Sequence, residues 1–158
     1  MDVVAGEYAG WVERVRATFE AVRYTCSHRL ADPDLAEQVS VQVIAGLVSR
    51  PTVFRYFGLP YSGRIARLAE TRIAEADAGR LATVCRWAEL RQRLDSVPEE
   101  HREVLVAACI RGEDIPALAA GLSCTEQQAQ ARRESTLAFM HELASPGLPP
   151  APDPDERG

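Results

Sequence analysis

Three observations on this 158-residue chain predict an all-α fold arranged as two small helical lobes. Apolar residues recur three and four positions apart along each long segment, the spacing of one helix face. No segment alternates apolar and polar residues as a half-buried strand would. The periodic runs are also punctuated as helices are, with Ser, Thr or Asp at their starts and Gly or Pro near their ends.

Tyr8, Trp11, Val12, Val15, Phe19, Val22 and Cys26 lie on one stripe and predict a long amphipathic first helix. Ala31-Asp32-Pro33-Asp34 supplies a turn, a cap and a first-turn proline for the second. That helix carries Leu35, Val39, Val43, Ile44 and Leu47 and stops at Ser49-Arg50-Pro51. A short aromatic segment follows, with Phe54, Tyr56 and Phe57 ahead of Gly58 and Pro60. Ser62 caps a third helix whose apolar face is Ile65, Leu68, Ala69, Ile73 and Ala76. No proline falls between Pro60 and Pro98, so helix is expected to run on with little interruption to Leu94.

Ser96-Val97-Pro98 starts the next helix, with Ser as cap and Pro in the first turn, and Val104, Leu105, Ala108 and Cys109 share its face. Arg111-Gly112 ends it. Asp114 then caps a short helix from Ile115 to Gly121, with Pro116 in its first turn. Thr125-Glu126-Gln127-Gln128 is a capping box opening the last helix. A short helix, a tight turn and a capped longer helix are the parts of a helix-turn-helix, and equally of an ordinary helical hairpin in a bundle. Leu118, Ala119, Leu122 and Ala129 are placed where the two helices meet, and Ser123 holds a turn position that Gly would occupy more easily.

The segment Leu94-Asp-Ser-Val-Pro-Glu-Glu-His-Arg-Glu-Val-Leu resembles the start of region four of bacterial RNA polymerase sigma factors, in particular the extracytoplasmic-function (ECF) group. There, a helix of the form Leu-x-x-Leu-Pro-x-x-x-Arg-x-Val-Leu precedes a helix-turn-helix that reads the upstream promoter element. Asp32 to Val43 resembles the region-two helix that docks on the polymerase clamp, and Tyr61 to Ala69 the segment that reads the downstream element. The resemblance spans roughly residues 15 to 143 and comes with departures. Gln38 stands where the family commonly has Asp, Val41 where it commonly has Gln, Tyr61 for Trp, Ala69 for Asn, and Arg133 for Leu.

The resemblance implies a region-two-like domain over residues 7–80, a short helical linker over 81–93, a region-four-like domain over 94–144 and a tail over 145–158. It implies polymerase contacts from Leu35, Glu37, Gln38, Val41 and Gln42, with core RNA polymerase and promoter DNA as partners and an anti-sigma factor as a further one the family admits. Promoter recruitment of RNA polymerase is the function expected. The alternative is a sigma-like regulator or interaction protein that binds DNA or a protein without initiating transcription. Between Arg80 and Trp87 the chain reaches roughly 27 Å if extended and about 12 Å as helix. The two promoter elements lie on the order of 50 Å apart, so this connection is short for spanning them.

Composition fits a DNA-associated helical protein only locally. Net charge is −5, which argues against non-specific nucleic-acid binding by the whole surface. Residues 60–93 nonetheless hold seven Arg against four acids. Arg64 and Arg67, three apart, share a face that suits phosphates as well as plain solvent. Thr125, Glu126, Gln127, Gln128 and Gln130 open the last helix, where Gln suits adenine, and Arg132 and Arg133 suit phosphate or guanine. The four cysteines are widely spaced without a CxxC pair, which signals neither a disulfide framework nor a metal. No phosphate-binding Gly loop or metal-ligand motif appears, so neither a cofactor nor catalysis is expected. With no signal peptide and no bilayer-length apolar run, a cytoplasmic protein without a membrane partner is expected. The tail, with five of the ten prolines, is expected to be disordered.

Overall fold

The computed structural model describes residues 2–52 and 63–144, apart from the side chain of Arg64. The aromatic segment with Tyr61 and Ser62, and the tail 145–158, lie outside the described residues. Within them the chain is all-helical: α1 (Val3–Arg29), α2 (Pro33–Val48), α3 (Gly63–Asp77), α4 (Trp87–Asp95), α5 (Glu99–Leu105), α6 (Ile115–Leu122) and α7 (Glu126–Ala144). A π-turn, Val106–Ile110, extends α5.

Local chemistry sets the starts. The Asp2 carboxylate accepts from the Ala5 N–H at 3.2 Å, and the Asp32 carboxylate from the Asp34 N–H at 2.9 Å, with Pro33 in the first turn. Asp114 caps α6 through the Ala117 N–H at 2.9 Å. Thr125 and Gln128 cap α7 reciprocally, each backbone N–H donating to the other's side-chain oxygen at 3.0 and 3.1 Å. Left-handed residues set two of the ends. Gly79 (φ 71°) follows α3, with the Arg80 N–H donating to the Glu75 carbonyl and the Gly79 N–H to the Ala76 carbonyl. Ser123 (φ 54°) follows α6 with the same two bonds, to Ala119 from Cys124 and to Ala120 from itself.

Two sequence expectations are corrected here. Helix does not continue from residue 78 to Leu94, and the linker 81–93 is helical only from Trp87 onward. Gly79 stops α3, and the backbone of Ala82 and Val84 finds its partners on α2 rather than in a helix of its own. Ser96 is not the cap of α5; it closes α4, its hydroxyl donating to the Gln92 carbonyl at 2.8 Å, and Pro98 takes the position before α5.

One apolar cluster draws on all seven helices, with Trp11, Ile44, Leu47, Ile73, Leu90, Leu94, Leu105, Leu118 and Met140 fully buried. The predicted stripe of α1 is buried at all seven positions. On α3 the same holds for Ile65, Ala69, Ile73 and Ala76, while Leu68 stays 37% exposed. α1 packs on α2 and α3 and also on α5 and the π-turn, so the boundary expected between two lobes is not a gap in packing. Polar ties reinforce it. The Tyr8 hydroxyl donates to the Leu94 carbonyl at 2.5 Å, the Arg102 guanidinium lies 4.8 Å from the Tyr8 ring centroid, and Arg111 pairs with Glu7. Arg93 donates to the Leu143 carbonyl at 3.1 Å, fastening α4 to the end of α7.

Candidate docking face and nucleic-acid interface

The five residues expected to face polymerase sit on α2, and three of them turn toward the non-helical stretch 80–86. Gln38 pairs with the backbone of Val84 in both directions: its amide donates to the Val84 carbonyl at 3.1 Å, and the Val84 N–H donates to its amide oxygen at 2.7 Å. Gln42 donates to the Ala82 carbonyl at 2.6 Å. Glu37 accepts from Arg86 at 2.8 Å and from the Trp87 N–H at 3.0 Å, which satisfies an otherwise orphan donor at the start of α4. Asp34 adds a 3.3 Å ion pair with Arg86, and the Glu37 charge beside the guanidinium raises its pKa. Four residues of helix rise about 6 Å and two of extended chain about 6.6 Å. That match lets Gln38 and Gln42, four apart, meet Val84 and Ala82, two apart, with the stretch running antiparallel to α2.

Val41 is 1% and Gln42 3% exposed, whereas Leu35, Glu37 and Gln38 are half-buried. The two departures from the sigma pattern on α2 therefore have local roles. Val41 fills the core, and Gln38 supplies both a donor and an acceptor, which a carboxylate at that position would not. The stretch ends where the Trp87 ring stacks on Phe19, 4.2 Å between centroids and 9° between planes.

The candidate DNA residues separate into groups. Thr125 and Gln128 are exposed, and their side chains close the α7 cap. Glu126 and Gln127 are exposed beside them, as is Gln130, which donates to Glu134 at 3.0 Å. At about 100° per residue, Gln127, Gln130 and Glu134 point away from the buried stripe of Ala129, Thr136 and Met140. Arg132 and Arg133 flank that stripe instead and are half-buried. Arg132 borders an open cleft of about 270 Å³ with Glu100, His101, Ser135 and Thr136. In it, His101 Nδ1 and the Thr136 hydroxyl are hydrogen-bonded at 2.8 Å, and the His101 ring stacks on Phe139. From Glu126 to Glu134 the outward row of α7 is thus amide-rich, with a glutamate at each end and the two arginines at the sides. On α3, Arg67 is exposed; its expected companion Arg64 has its side chain outside the described residues.

No disulfide joins the four cysteines, and burial pushes the Cys26 and Cys85 thiols up, away from the reactive thiolate. Among the described residues no group of three or more His, Cys, Asp or Glu could hold a metal ion, and no helix is long and apolar enough to cross a membrane.

The sequence reading assigned five α2 residues to a polymerase contact and missed the stretch that three of them hold. Ala82, Val84, Arg86 and Trp87 complete the site, and the available signal was two glutamines four apart on a helix that is otherwise largely apolar on that side. No protein family, curated protein or solved structure matches the chain.

Proposed function

We propose that this chain is an ECF-like sigma factor, a cytoplasmic bacterial protein that takes core RNA polymerase to promoters through α2 and reads promoter DNA with α7. The observation that carries the reading is the exposed polar start of α7. A reciprocal cap and a left-handed turn hold it at the end of short α6, and Leu118, Ala119 and Ala129 are buried behind it. Gln127 offers a paired donor and acceptor of the kind that suits adenine in a major groove. Arg132, Arg133 and Arg67 would supply phosphate contacts, which position a protein without reading sequence.

A second reading is favoured by one observation: Gln38 and Gln42 are bonded to the backbone of Val84 and Ala82 and Val41 is buried in the core, so the face expected to meet polymerase is occupied. On that reading the chain is a sigma-like regulator that binds DNA or a protein partner without initiating transcription.

Co-elution of the purified chain with core RNA polymerase separates the two. Sigma function predicts a stoichiometric complex; absence of any complex, together with retained binding to DNA, supports the second reading. DNA binding through α7 predicts that Arg132→Ala with Arg133→Ala weakens affinity and lowers the salt slope by up to roughly two units. An unchanged slope would move the phosphate contacts elsewhere.

A further inference from the structure

We infer that residues 80–86 are a releasable strap, latched onto α2 by Glu37, Gln38 and Gln42, which must come off before those three side chains can meet a partner. The inference rests on the sigma-like reading for the identity of that partner, and on the geometry alone for the strap.

The stretch is held differently from the rest of the chain. Its neighbours α3 and α4 are helices that satisfy their own backbone, whereas Ala82, Val84 and the N–H of Trp87 are satisfied by side chains of α2. Ala82, Thr83 and Arg86 are exposed, Leu81 and Cys85 half-buried, and only Val84 is buried, at 7% exposure. Leu81, Val84 and Cys85 touch the core from one side only, and the polar contacts are few, so the segment opens at lower cost than the helices that flank it. Most of the core beneath has other partners, since α2, which carries Val39, Val43, Ile44 and Leu47, packs on α1 and α3 as well. The latch is also sequence-specific. Gln38 answers an N–H and a carbonyl of Val84 together, whereas Asp at that position is shorter and would set a carboxylate against the carbonyl. The residue that departs from the sigma pattern is therefore the one that closes the strap.

Hydrogen exchange on the full chain, resolved by residue, tests this without any partner. In the wild type the Val84 and Trp87 amides are expected to be protected, yet to open faster than Val43 and Ile44 in the core of α2. Gln38→Asp should speed exchange at Val84 and Trp87 by roughly ten-fold, the loss of about one to two net hydrogen bonds, and leave Val43 and Ile44 unchanged. Gln42→Glu supplies an independent check. Its carboxylate cannot donate to the Ala82 carbonyl at neutral pH but can once protonated, so protection should return as the solution is made acidic. Unprotected Val84 and Trp87 amides in the wild type would overturn the strap, and so would exchange at the rate of the α2 core in wild type and Gln38→Asp alike. Core polymerase added to the same proteins keeps the two proposals apart. Tighter binding by Gln38→Asp supports both, whereas local release with no polymerase binding by either protein upholds the strap and removes the polymerase reading.

Discussion

Ala129 has no exposed surface where α7 meets α6 beside Leu118 and Ala119. The site holds only a methyl group at full burial, so the bulk and desolvated charge of Ala129→Glu are expected to destabilise the protein by several kcal/mol. An unchanged melting temperature would contradict this placement. At the rim, Glu7 accepts hydrogen bonds from Arg111, which hold its carboxyl below the usual carboxylate range. A depressed acid stabilises above its unfolded pKa and loses that contribution as the pH falls through the folded one. Wild type should therefore exceed Glu7→Gln in stability by no more than ~1 kcal/mol at neutral pH, both groups being partly exposed. The difference should disappear in acid, below the usual carboxylate range, once Glu7 is protonated in both states. Denaturant midpoints at the two pH values measure it, and a difference that persists in acid would mean the pair contributes by packing. These single-residue roles were legible where they were local. The Asp32 and Asp114 caps and the Thr125–Gln128 box follow from spacing, whereas the Tyr8 bond to Leu94 and the Arg111 pair join residues 86 and 104 positions apart and leave no local mark.

The turn between α6 and α7 carries two opposed effects. Ser123 is the only non-glycine described residue with positive φ, a conformation that costs an L-residue about 1–2 kcal/mol. Ser123→Gly should relieve part of that and raise stability by about 1 kcal/mol. Thr125→Ala should lower it by about 1 kcal/mol by leaving the Gln128 N–H without its cap. Thermal unfolding of both variants checks the pair, and a destabilised Ser123→Gly would show that the hydroxyl has a further role. Helices α1, α2, α6 and α7 were readable because each has a periodic face and chemical ends. The stretch 80–86 lacks proline, as a helix would, but the left-handed turn at Gly79 stops α3 before it. Its true partners are side chains on α2 some 40 to 46 positions earlier, a pairing with no local periodicity to betray it.

For the molecule as a whole, α1 is the shared wall. It packs on α2 and α3 along one side and on α5 and the π-turn along another, which joins what the sequence presents as two lobes. A shared core predicts one cooperative unfolding transition, with tryptophan fluorescence and far-ultraviolet circular dichroism superimposing. Two separated transitions would mean that the halves fold independently. The same packing leaves Gln38 and Gln42 bonded to residues 82–84 and the start of α7 exposed, so on the proposed function DNA contact would need no rearrangement and polymerase docking would need release of the strap. The most direct measurement of the central claim is run-off transcription from a genomic promoter library with core RNA polymerase and the purified chain. The account predicts transcripts from discrete start sites that depend on the protein and increase with Gln38→Asp, whose strap is released. A chain that neither binds core polymerase nor starts a transcript from any promoter, with or without that substitution, would contradict it.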